Sequence, residues 1–145
     1  MAIDISPLER AIARLEEALD IYRLDTSQSL IRDGLVQRFE FTFELSHRLL
    51  KRYLEDNAAP SEDFDSMDFA DLIRIGNEHG LLRGNWPRWR EYRDMRAKTS
   101  HSYNEITALG VVAGIPAFLE EARHLRDRLR ERQNRERQNR EHQNR

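Results

Sequence analysis

Arg96, His101 and Tyr103 fall within one stretch of ten residues, RAKTSHSYNE at positions 96–105. A guanidinium offers a planar fork of donors that fits a phosphate, an imidazole takes or gives a proton near neutral pH, and a phenol supplies a hydroxyl. Together they could handle a phosphate group. As residues at the junction of two helices, they could equally do no more than satisfy local backbone groups. Spacing alone does not choose. Arg supplies all 24 basic residues except Lys51 and Lys98, and with 5 His in the chain, an Arg and a His separated by four to six residues arise roughly twice by chance. Three places fit: Arg74 with His79, Arg96 with His101, and Arg135 or Arg137 with His142.

The elements that carry these residues discriminate better. Over an uninterrupted helix from 96 to 103, Arg96 and His101 would sit about 140° apart. However, S-Y-N-E at 102–105 reads as a capping box, which predicts that one helix ends near Thr99, the chain turns at His101, and the next helix starts at Ser102. Such a turn lets Arg96, His101 and Tyr103 converge beside the free N–H groups of a helix N-terminus, where an anion is welcome.

Upstream, S-P-L-E at Ser6–Glu9 predicts a helix start with Ser6 as cap, and Leu8, Ile12, Leu15, Leu19 and Tyr22 form its apolar stripe to about Leu24. A longer helix is predicted from about Ser29 to Asp56, with Leu35, Phe39, Phe43, Leu49 or Leu50, and Tyr53 on one side and Phe41 and Leu45 widening it. Gln37, Glu40 and Glu44 share another of its faces, and either line a cleft or join a polar network between subunits. Asp65 or Ser66 is expected to cap a short helix burying Phe69, Leu72 and Ile73 and stopped by Gly80. Trp86, Trp89, Tyr92 and Met95 give the next helix an aromatic side, read as core or dimer contact. A last helix follows, with a kink expected at Gly114 and Pro116.

These elements make an all-α bundle of four to five up-and-down helices over residues 1–129. Residues 130–145 repeat RERQN without an apolar side chain, and read as a low-complexity tail, frayed helix or disordered. With 39% hydrophobic and 34% charged residues and no long apolar run, no membrane span or export signal is expected, and the cytoplasm is the default location. Zero cysteines exclude disulfides, thiolate metal sites and a Cys nucleophile. Glu40 and Glu44 have no His-rich partner helix, so no metal site and no cofactor are expected. His47, His79, His124 and His142 receive no functional role.

R-A-K-T-S-H-S-Y-N-E resembles the Arg, four residues, His, one residue, Tyr motif of the HEPN domains found with minimal nucleotidyltransferases, the HepT-type toxins of HepT/MntA systems. R-D-G-L-V-Q-R-F-E-F-T-F-E-L at 32–45 is similar to the long-helix segment of the same group, also described as nucleotidyltransferase substrate-binding proteins. The resemblance spans roughly residues 5 to 130. Many such domains have Asn after the Arg, where this chain has Ala97, and relatives often carry Trp where it has His47.

The resemblance implies a homodimer with two copies of the motif facing one cleft, acting as a metal-independent ribonuclease with Arg96 and His101 catalytic. It also implies a cognate nucleotidyltransferase antitoxin that transfers AMP to Tyr103. The alternative is a non-catalytic subunit presenting a nucleotide or substrate to a separate nucleotidyltransferase. The chain itself lacks the Gly-Ser and paired-Asp pattern of that catalysis, so either role needs a partner.

Overall fold

The structure, a computed structural model, describes residues 3–58, 63–101 and 104–144, with Ser100 and His101 described by their backbone alone. The described residues form five helices and no strand: α1 (Ser6–Leu24), α2 (Ser29–Asp56), α3 (Phe69–Glu78), α4 (Trp86–His101) and α5 (Glu105–Gln143). The fold is an all-α bundle, as the periodicity requires.

α2 is the central element, in contact with every other helix, and α5 closes the bundle against α1, α2 and α4. The breadth of α2 follows from its sequence: Leu35, Phe39, Phe43, Leu50 and Tyr53 are all buried, and Leu45 and Leu49 add a second buried flank. Phe39 meets Phe118 of α5 edge to face at 5.0 Å, and Phe118 in turn meets Trp89 and Tyr92 of α4. The aromatic side of α4 is therefore core: Trp89 is fully buried and Tyr92 nearly so. Phe41, expected to widen the buried stripe, is 59% exposed instead, because its position on α2 turns outward beside α1.

Three helix starts differ from the capping pattern in the sequence. Ser6 is already helical, and the Asp4 carboxylate accepts from its N–H at 3.0 Å. α3 is capped by Asp68, which accepts from Asp71 N at 2.8 Å, rather than by Asp65 or Ser66. α5 begins at Glu105 with Asn104 accepting from Thr107 N at 2.9 Å, rather than at Ser102. Gly80 does stop α3, at φ 72°, a left-handed conformation that suits glycine.

The RERQN repeats continue α5 as helix to Gln143, with Pro116 inside it. Past Leu129, Arg130 pairs with Glu9 at 2.9 Å, Arg132 donates to the His79 carbonyl at 2.5 Å, and Gln133 donates to the Ile3 carbonyl. No helix among the described residues is long and apolar enough to cross a membrane.

Candidate active site

Arg96 lies on the outer side of the last turns of α4 and points at α2. Its Nε and Nη2 donate to one oxygen of Glu44 at 3.0 and 2.6 Å, and its Nη1 lies 3.6 Å from Glu40 Oε2. Thr99, one turn on, donates its hydroxyl to the Arg96 carbonyl at 2.8 Å and receives Arg96 Nη1 at 3.5 Å. The guanidinium is thus held by Glu44, Glu40 and Thr99, with 26% of its side chain exposed. Glu40 and Glu44 are one turn apart on α2, which puts both carboxylates toward one approaching side chain.

α4 stays helical through His101, two residues beyond the expected end near Thr99. Within α4, the Cα positions of Arg96 and His101 are therefore separated by about 140° around the axis and about 7.5 Å along it. The convergence of the two on one spot, which an earlier helix end would give, does not follow from α4 alone. The break comes after His101, between the end of α4 and the Asn104 cap of α5. The His101 side chain and Tyr103 lie outside the described residues.

Gln37 does not join this cluster. It lines a groove between α1 and α2 instead. His47 is half-buried with its ring 4.6 Å from that of Phe69, and burial, helped by the Lys51 charge, holds its pKa below the ordinary imidazole value. His79 ends α3 and offers its carbonyl to Arg132. Among the described residues, no three His, Asp or Glu side chains gather to hold a metal ion.

Two contributors escaped the sequence reading. Thr99 sits three residues after Arg96, the spacing at which a hydroxyl reaches back to a helical carbonyl, so a local signal existed. The other is the Arg32–Glu105 bridge at 3.5 Å, which ties the start of α2 to the start of α5 beside the α4–α5 break. Its partners are far apart in the chain and no local pattern announces them.

The family described as "Nucleotidyltransferase substrate binding protein like" matches residues 3–131. A Haemophilus influenzae protein named probable ribonuclease HepT is 35% identical over 138 residues, covering 90% of this chain and 94% of its own. The solved structure of HI0074 from Haemophilus influenzae, described as revealing the fold of a substrate-binding domain of a nucleotidyltransferase, superposes with a TM-score of 0.80 at 33% identity. It covers 88% of this chain and 99% of that one. A solved structure from Thermus thermophilus gives a TM-score of 0.67 at 30% identity, over 85% of this chain and 98% of that one.

Proposed function

The chain belongs to the family of nucleotidyltransferase substrate-binding-like proteins, and from that premise we propose that it is a metal-independent ribonuclease of the HepT type, the toxin half of a pair whose other half is a minimal nucleotidyltransferase. The observation that carries this reading is the Arg96 guanidinium, oriented by Glu44 and Glu40 and partly exposed, five residues before His101 and beside the α4–α5 break. The relative named probable ribonuclease HepT supports it.

In this mechanism, a neutral His101 takes the proton from an RNA 2′-hydroxyl, which attacks the adjacent phosphorus, and Arg96 stabilises the negative charge that builds on the phosphate. The leaving 5′-oxygen needs a proton in return. A second copy supplies one through its own His101 if the two motifs face one cleft. Leu30 near the start of α2 and Ile106 and Leu109 near the start of α5 are exposed at 81%, 85% and 47%, apolar surface that such a dimer would cover. Modification of Tyr103 by AMP would then add a phosphate charge seven residues along the chain from Arg96.

A second reading has its own support in the description of HI0074: a non-catalytic subunit that presents a substrate to the nucleotidyltransferase. An RNA cleavage assay in EDTA separates the two. The ribonuclease reading expects cleavage by the unsubstituted protein and none by His101→Ala at equal helicity. Cleavage that persists in His101→Ala overturns the catalytic assignment, and no cleavage of any RNA by the unsubstituted protein favours the substrate-binding role.

A further inference from the structure

Between α1 and α2 runs an open groove of about 690 Å³, separate from the Arg96 cluster. Arg10 and Arg14 line it from α1, and Gln37, Arg38 and Phe41 from α2. Gly34 leaves its floor open, since a Cβ there would meet nothing within 4 Å. Glu17 lies 3.5 Å from Arg14 and 3.9 Å from Arg38, Arg38 Nη1 also donates to the Arg14 carbonyl at 2.8 Å, and the Arg10 charge acts on the Asp4 carboxyl. Two carboxylates therefore stand against three arginines, and the groove keeps a surplus of one positive charge in a chain whose net charge is −2.

Phe41 is the second observation. Its helix neighbours Phe39 and Phe43 are buried, whereas Phe41 shows 59% of its surface at the groove. An exposed phenyl bordered by guanidinium groups suits a nucleic-acid base on the ring with its phosphates on the arginines. An apolar protein surface would cover Phe41 but would have to desolvate three arginines that share only two carboxylates. On α2, Gln37, Glu40, Phe41 and Glu44 fall within about 100° of the helix circumference, and Phe41 and Glu44 are about 4.5 Å apart in rise. The groove, which also takes in Gly34 and Arg38, therefore lies on the flank of α2 next to the face that holds Arg96.

We propose that the α1–α2 groove binds single-stranded RNA adjoining the segment presented to Arg96, with Arg10, Arg14 and Arg38 on its phosphates and Phe41 under a base. This extends the ribonuclease reading and rests on it for the identity of the nucleic acid.

The test is fluorescence anisotropy of a labelled, uncleavable 2′-O-methyl RNA of about 12 nucleotides with the full-length protein, over a range of salt. Arg10→Glu with Arg14→Glu should weaken binding at least about tenfold and lower the slope of log affinity against log salt by about 2. Phe41→Ala, which leaves the charges in place, should weaken it about fivefold or more at an unchanged slope. Light scattering and circular dichroism on each variant show whether fold and assembly persist. Affinity and slope unchanged in both variants overturn the proposal, as does loss of self-association with RNA affinity intact, which would make the groove a contact between copies. Cleavage of unmodified RNA is followed in parallel. Groove-dependent binding without cleavage removes the ribonuclease reading and keeps the groove, and cleavage with groove-independent binding does the reverse.

Discussion

Glu44 on α2 receives both Nε and Nη2 of Arg96 on α4 on a single carboxylate oxygen, at 3.0 and 2.6 Å. Two donors on that oxygen, together with Nη1 at 3.6 Å from Glu40, restrict the orientation of the guanidinium as well as its position, which is what the proposed role as oxyanion stabiliser requires if it is not to reorganise during reaction. Arg96→Lys keeps the charge and loses the fork, so RNA cleavage should fall about 100-fold or more. Glu44→Gln should lower kcat/KM several-fold. Because Arg96 is 26% and Glu44 49% exposed, it should cost less than about 1 kcal/mol in urea unfolding. A rise in kcat/KM for Glu44→Gln would instead mean that Glu44 competes with the substrate phosphate.

Glu121 has the opposite balance, with stability at stake rather than reactivity. It is 2% exposed, and its two oxygens accept from Arg83 N at 2.8 Å and Gly84 N at 2.5 Å, anchoring the α3–α4 connection to α5. Glu121→Ala strands both N–H groups and should cost about 2–4 kcal/mol by urea denaturation. Glu121→Gln keeps an acceptor for one of them and should cost about half as much. Equal stability of Glu121→Ala and the unsubstituted protein would show that the connection holds without the carboxylate.

His47 predicts a pH dependence. Burial against Phe69, with the nearby Lys51 charge, depresses its folded pKa below that of the unfolded chain. As pH falls through the unfolded value of about 6.5, the unfolded state takes up the proton first, so stability declines on the acid side and is untouched above it. His47→Phe, an apolar ring in the same pocket, should flatten the loss between about pH 7 and 5 relative to the unsubstituted protein. Parallel stability curves for the two would show that His47 does not couple to folding.

The helices were largely legible because their signals are local. Leu35, Phe39, Phe43, Leu50 and Tyr53 recur at helical spacing, and α2 occupies the span that this stripe implies. Cap identity was less so, since Asp63, Asp65, Ser66 and Asp68 crowd one loop and any of them can cap; only the packing of Phe69 against Phe43 and Trp89 sets where the first turn begins. The site was legible by halves. Periodicity put Glu40 and Glu44 on one face, but nothing local announced that this face would meet Arg96, 52 residues from Glu44. Arg10, Arg14 and Phe41 each look like ordinary helix-surface residues until α1 and α2 are laid side by side.

Tyr103 is the acceptor the resemblance names, one residue before the Asn104 cap of α5. With the cognate nucleotidyltransferase and ATP present, intact-mass measurement should show addition of AMP to the unsubstituted protein and none to Tyr103→Phe, because only the phenolic oxygen is lost. The added phosphate would lie seven residues from Arg96 in the chain, and on the proposed reading it competes with the substrate phosphate for the Arg96 donors, so the modified protein should lose RNA cleavage. Tyr103→Phe should keep cleavage and cause growth arrest that the nucleotidyltransferase does not relieve. An adduct that persists in Tyr103→Phe would move the acceptor to another hydroxyl. Modified protein that still cleaves at full rate would separate AMP transfer from control of the Arg96 site.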